Sequence, residues 1–147
     1  MKTSLAIIIP LALVGCWRPD ISLKRSVTPQ EIMGVWTMTE DSFQDIKTDS
    51  DASNIQGSHK DFQFEIREDG TLRYRSLLQM PTRTVDYRGT WQLKPQTDSA
   101  KGNRLHMLLE ADPNYGVSLD FTEQDGKLLL WTYFGDPDSW RLEQYEK

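Results

Sequence analysis

The sequence predicts an all-β protein, an eight-stranded antiparallel up-and-down barrel preceded by a short helical turn. Three observations favour this fold class. Apolar and polar residues alternate over many short segments, turn-forming residues separate those segments, and no segment of useful length has the periodicity of a helix. Short connections suit antiparallel neighbours, and closing the sheet into a barrel removes its exposed edges. A two-sheet β-sandwich is the alternative architecture.

The composition is that of one folded domain with little material for metal or redox chemistry. The chain has 147 residues, of which 37% are hydrophobic and 10% aromatic, enough for a sizeable core. Its 17 Lys and Arg against 22 Asp and Glu give a net charge of −5, which argues against nucleic-acid binding because such binding depends on neutralising phosphates. With one cysteine and two histidines, we predict no metal site and no cofactor.

The first residues are expected to direct the chain across the inner membrane. A short basic start is followed by an apolar run over residues 5–14. As a helix this run is about 15 Å long, too short to span a hydrocarbon core of about 30 Å. The pattern predicts a secretory signal peptide over residues 1–15.

The end of the predicted signal peptide has a motif of its own. Leu13-Val14-Gly15-Cys16 resembles the bacterial lipobox. The resemblance implies that acyl chains such as palmitate are attached to Cys16, and that residues 16–27 form a lipidated tether. Because Trp17 rather than Asp follows the cysteine, it also implies an outer-membrane lipoprotein facing the periplasm. The membrane is therefore one expected partner.

The predicted barrel domain covers residues 28–147 and begins with a helical turn. Thr28-Pro29-Gln30-Glu31 has the pattern of a capping box, with a Thr cap, Pro in the first helical position and Glu three residues after the cap. The first strand is expected from Gly34 to Thr39. The connection over residues 41–60 is rich in Ser and Asp and is expected to be a long loop with a functional role.

Seven further strands follow from the alternation of apolar residues. The segment from Phe62 to Arg67 alternates at every step, and Glu68-Asp69-Gly70 is a hairpin signal leading into a strand over residues 71–78. The other strands are expected around residues 85–93, 105–109, 117–121, 128–134 and 140–142. Turn signals such as Asp125-Gly126 separate them.

The start of the predicted barrel resembles a known class of proteins. Gly34-Val35-Trp36, preceded by a helical turn and followed by a strand, a large loop and an alternating meander, is similar to the start of the lipocalin-like (calycin) class. The resemblance implies that Trp36 closes one end of the barrel and that the loop after the first strand overhangs the other.

Eight aromatic residues are predicted to point into the barrel and to line a cavity. They are Trp36, Phe62, Phe64, Tyr74, Tyr87, Trp91, Phe121 and Trp140. An eight-stranded barrel is just wide enough to hold one small ligand or to be filled by side chains. The rings could therefore line an apolar pocket, which makes a small hydrophobic molecule an expected ligand, or they could pack together and leave no pocket.

One predicted strand is apolar on both faces. Its outward residues Leu129, Trp131 and Tyr133 are either covered by another segment or form a contact surface for an envelope protein. The second functional hypothesis is accordingly a protein-binding lipoprotein with a filled barrel, such as an inhibitor or assembly subunit. No motif for nucleophilic, phosphate-binding or metal-dependent catalysis occurs, so no catalytic residues are predicted and the protein is not expected to be an enzyme.

Overall fold

Eight antiparallel strands close into a barrel in chain order, as the sequence predicts. The computed structural model describes residues 21–48, 55–75, 86–97, 102–110, 112–134 and 141–147, with the backbone alone for 75, 86, 87 and 112–115. The strands are β1 (Gly34–Met38), β2 (Gln63–Ile66), β3 (Thr71–Arg75), β4 (Asp86–Pro95), β5 (Asn103–Leu109), β6 (Asp112–Gln124), β7 (Lys127–Tyr133) and β8 (Leu142–Glu146). Pairing of β1 with β8 closes the barrel. Within these ranges no helix has the length and apolar character needed to cross a bilayer.

The predicted helical turn is present as α1 (Pro29–Ile32). Its capping box forms as expected, because the Glu31 carboxylate accepts a hydrogen bond of 2.7 Å from the backbone N–H of Thr28. This bond lowers the pKa of Glu31. The turn lies where the chain enters β1, and we refer to this end of the barrel as the lower end.

A helix occupies part of the segment that was expected to be a loop. This helix, α2 (Glu40–Lys47), begins where the Thr39 hydroxyl accepts a hydrogen bond from the backbone N–H of Ser42. Phe43 and Ile46 lie three residues apart on its buried face. The prediction of an uninterrupted loop was therefore wrong. Because α2 follows the end of β1, it lies at the opposite end of the barrel, which we term the upper end.

The β6–β7 hairpin has the turn predicted for it. Asp125 and Gly126 both have positive φ angles, 53° and 74°, between the paired residues Gln124 and Lys127. Two consecutive positive φ values match the right-handed twist of a hairpin, and Asp-Gly supplies them at low cost. This turn sets the register that places Phe121 opposite Leu130, both facing the interior.

The last strand differs from the prediction in its position and in its inward face. Trp140 and Leu142 were expected to point inward, but Leu142 pairs with Tyr133, on the outward face of β7, and Trp140 lies outside the described residues. Tyr145 pairs with the buried Leu130, and Glu143 shares its face. The inward residues of β8 are therefore Glu143 and Tyr145.

The chain before α1 packs on the lower end of the barrel. Leu23 donates its backbone N–H to the Phe121 carbonyl at 2.7 Å. The Asn103 side chain bonds both to the N–H and to the C=O of Val27, each at 2.8 Å. Residues 22–27, which the sequence assigns to the tether, are thus held against the barrel by both backbone and side-chain hydrogen bonds.

Trp36 lies at the lower end of the barrel, between α1 and the residue that follows β8. Its indole N–H donates to the carbonyl of Ile32 at 2.7 Å, which ties α1 to β1. The ammonium of Lys147 lies 5.4 Å from the ring centroid and donates to the carbonyl of Glu31. The helix α1, the strand β1 and the Lys147 side chain therefore meet at one buried ring.

Candidate functional site

A cluster of aromatic rings occupies the barrel interior. The Phe64 ring lies at its centre, with centroid distances of 4.8 Å to Tyr145 and 5.7 Å to Tyr74, both edge-to-face, and 6.3 Å to Trp36. All four side chains are fully buried. They come from β1, β2, β3 and β8, and strand alternation turns each of them inward. The result is one continuous, closely packed aromatic cluster inside the sheet.

The upper end of the interior is bounded by α2. The ring of Phe43 stacks on Phe62 with centroids 5.6 Å apart, and Ile46 joins the same buried cluster. The hydroxyl of Ser42 donates to the Leu142 carbonyl and accepts the backbone N–H of Gln144 at 3.0 Å. A single side chain thus fastens α2 to the start of β8.

The structure brings together some of the predicted interior residues and leaves others unplaced. Those found buried in one core cluster are Trp36, Phe62, Phe64, Tyr74 and Phe121. Trp91 is only partly buried, and its indole N–H donates to the carbonyl of Arg67 at 2.9 Å. The backbone of Tyr87 pairs with that of Tyr74, but its side chain, like Trp140 and Cys16, lies outside the described residues.

Sequence reasoning missed the most unusual interior residue, Glu143. Its side chain is 0% exposed, and the Tyr145 hydroxyl donates a hydrogen bond to Oε1. Oε2 has no hydrogen-bond partner among the described residues. Burial raises the pKa of Glu143 from 4.5 to about 7, and the bond from Tyr145 opposes part of that rise. Burial also raises the pKa of Tyr145 well above its usual value.

Only one signal in the sequence points to Glu143. A single aromatic residue, Tyr145, stands in an otherwise polar terminal segment, and if Tyr145 faces inward then Glu143 must do so as well. The alternation expected from Trp140 and Leu142 gives the opposite result. It assigns Glu143 and Tyr145 to the outward face, whereas both point inward.

The predicted contact surface is not an exposed patch. Leu129 and Trp131 are on the outward face of β7, yet only 6% and 5% of their surface is exposed, while Tyr133 is partly buried and packs edge-to-face on Trp131. Of the two alternatives, the low exposure of Leu129 and Trp131 therefore fits a covered strand and not an open apolar patch. Leu129 instead lies in an outer groove of about 400 Å³ beside α2 and the β6–β7 turn.

Known proteins give no further guidance on this interior. The chain matches no protein-family model, no curated protein and no solved structure. The function has to be inferred from the chemistry of the barrel itself.

Side chains that could hold a metal ion are not grouped in the described ranges, where no three His, Cys, Asp or Glu residues lie together. His106 is on the outward face of β5, and its Nδ1 lies 3.0 Å from the Ser118 hydroxyl. Burial lowers the pKa of His106. His59 contacts Glu40 at the N-terminal end of α2. Each histidine thus has a local structural partner.

Proposed function

We propose that this protein is a membrane-anchored envelope lipoprotein whose barrel binds one small hydrophobic molecule. The observation that supports this best is the continuous aromatic cluster around Phe64 inside a closed eight-stranded barrel. Ligand sites are typically apolar with a few well-placed polar groups, and a barrel of eight strands is just wide enough either to be filled by side chains or to hold one small ligand.

Entry of the ligand is proposed at the upper end. The lower end is tied together by the indole of Trp36, the ammonium of Lys147 and the side chain of Asn103. At the upper end, the eight-residue helix α2 is fastened to β8 through Ser42. Displacing α2 breaks the two Ser42 bonds and exposes Phe43 and Ile46, but it leaves the strand pairing of the barrel intact, so we place the opening at this end.

Titration with Nile red, a neutral apolar fluorophore, tests the proposal. We expect saturable one-to-one binding in the micromolar range. Leu105→Phe adds bulk at a fully buried inward position and is expected to weaken binding about tenfold. Val35→Phe is the matched control, because Val35 points outward and is 48% exposed. Non-saturable binding, or loss of binding in the control alone, would contradict an interior site.

The anchor is proposed from the sequence alone, since residues 1–20 lie outside the described part. Cells fed an alkyne analogue of palmitate should label the wild-type protein and not Cys16→Ser. Separation of the two membranes should then place the labelled protein in the outer membrane. Labelling that persists in the variant, or recovery in the inner membrane, would refute the attachment site or the location respectively.

A second candidate function is binding of an envelope protein, with the barrel serving as a filled scaffold. The outer groove at Leu129 favours it, because the residues around that side chain are mostly acidic or amide. They are Thr39, Glu40, Asp41, Gln124, Asp125, Lys127, Gln144 and Glu146. A basic segment of a partner would complement this groove.

Site-specific crosslinking in the envelope separates the two functions. A photo-crosslinking amino acid at Lys127 lies in the groove. The same group at Val35, an exposed outward residue of β1 that does not line the groove, provides a control. A discrete crosslinked protein at the groove alone supports the second function. Monomer only at both positions removes its support.

A further inference from the structure

The interior contains one acidic side chain whose hydrogen bonding is incomplete. Glu143 is fully buried on the inward face of β8, and Tyr145 donates to only one of its two carboxyl oxygens. An ionised carboxylate can accept about four hydrogen bonds across its two oxygens. Buried polar groups are nearly always satisfied, so an unfilled acceptor inside an apolar barrel calls for an explanation.

This carboxyl lies next to a tyrosine and opposite Thr132 of β7, and the rest of the aromatic cluster adjoins that tyrosine. Tyr145 lies beside it, and the Phe64 ring is packed against Tyr145 on one side and Tyr74 on the other. In the described ranges, no Lys or Arg is paired with Glu143. The described residues therefore supply no cation to compensate the buried charge, although burial of a carboxylate without a partner is costly.

A carboxylate next to aromatic rings is a combination that recognises a protonated amine. The ammonium group offers three N–H donors and no acceptor, so one of its N–H groups can bond to Oε2 while its positive charge balances the carboxylate. Aromatic faces attract the same cation through their quadrupole. A carboxylate ligand would instead meet a like charge at Oε2, and a neutral alcohol could donate one bond without any ionic attraction.

We propose that the ligand of this barrel is an amphipathic molecule with a protonated amine, and that Glu143 binds the amine while the aromatic cluster packs on the apolar part. This inference rests on the proposed interior binding site. Because Ser42 contacts the residues on either side of Glu143, the amine end would lie at the upper end beneath α2. The apolar part then extends past Phe64 toward Trp36.

Three probes of equal chain length test this ligand class: dodecylamine, dodecanol and dodecanoate. The affinity of each is measured by displacement of Nile red at about pH 8, where the Glu143 carboxyl is largely ionised. In the wild-type protein we expect dodecylamine to bind about tenfold more tightly than dodecanoate, because the ammonium is attracted to the Glu143 carboxylate whereas dodecanoate brings a like charge to it. In Glu143→Gln, dodecylamine should lose about that tenfold, while dodecanol and Nile red keep their affinities.

Glu146→Gln is the matched control, since Glu146 lies on the same strand with its side chain partly exposed near Lys127. It should leave all three affinities unchanged. If Nile red binds but dodecylamine shows no preference, or if Glu143→Gln does not weaken it, the amine inference is overturned and the interior site stands. If no probe and no Nile red binds to the wild-type protein, both proposals fall together.

Discussion

Replacement of Glu143 by glutamine should change the pH dependence of stability in a defined direction. Glutamine has nearly the same shape and keeps an acceptor for the Tyr145 hydroxyl, but it cannot ionise. The variant therefore removes the titration of one buried group and disturbs the packing little. Any difference between the two pH profiles then reports on that group alone.

The sign follows from proton linkage. Burial raises the pKa of Glu143 to about 7 in the folded protein, against 4.5 when it is exposed. Between these values the folded state holds the proton and the unfolded state does not, so the free energy of unfolding falls as pH rises through this window. The shift corresponds to a loss of about 3 kcal/mol, complete by about pH 8.

Thermal unfolding from about pH 4 to about pH 8.5 measures this effect. Relative to the wild type, Glu143→Gln should gain about 3 kcal/mol over the window, or about 10 °C in Tm for a domain of this size. Glu146→Gln, at a partly exposed position, should alter stability by less than about 1 kcal/mol at any pH. Parallel wild-type and Glu143→Gln profiles would refute the reasoning, since they would mean that Glu143 is hydrated rather than buried.

The remaining predictions concern the packing that bounds the interior. Ser42→Ala should lower the free energy of unfolding by about 1–3 kcal/mol and speed amide hydrogen exchange in α2, because it removes both hydrogen bonds of the Ser42 hydroxyl to β8. The control Gln44→Ala, at an exposed position of the same helix, should lower it by less. Asn103→Ala should cost about 1–3 kcal/mol by chemical denaturation, since it frees the segment before α1, and unchanged stability would contradict that docking. Gly89→Ala should lower the free energy of unfolding by about 3 kcal/mol or more, because the added Cβ would lie 2.0 Å from a carbonyl oxygen of β5. Gly70→Ala is the control: its Cβ would meet no atom within 4 Å, and its positive φ should lower the stability by about 1 kcal/mol. Equal losses of stability in thermal melts followed by circular dichroism would contradict the contact at Gly89.

The strands with one solvent-facing side were predictable from the sequence because apolar and polar side chains alternate along them. The segment from Phe62 to Ile66 follows this rule. The Asp125-Gly126 turn in addition predicts the register of the β6–β7 hairpin. The closed barrel was the natural consequence of many such strands with short connections, and the structure confirms it.

The helix α2 was not predicted because its signal is weak. Eight residues with two apolar side chains, Phe43 and Ile46, give little helical periodicity in an acidic and serine-rich segment. Its stability comes from the Thr39 cap, from Ser42 bonding to β8 and from the stack of Phe43 on Phe62, and the last two are tertiary contacts. Such contacts leave no local pattern in the sequence.

The buried carboxyl was not predictable for a related reason. The alternation rule assigns polar residues to the solvent-facing side of a strand, so it assigns Glu143 to the outside. As a result, the predicted register of β8 differs from the observed register by one residue. A departure from a local rule is expected where a residue serves a function rather than the fold. Among the described residues, Glu143 is a fully buried acidic side chain on the inward face of a strand, and there the chain departs from the pattern that predicts most of the barrel.

The central claim, that the interior and not the outer face holds the ligand, is tested most directly by nuclear Overhauser effects between bound dodecylamine and the protein. We expect contacts from the alkyl chain to the rings of Phe64 and Tyr145, with the methylene next to the amine nearest β8. Contacts confined to outward side chains such as Val35, with no signal to those two buried rings, would contradict the account.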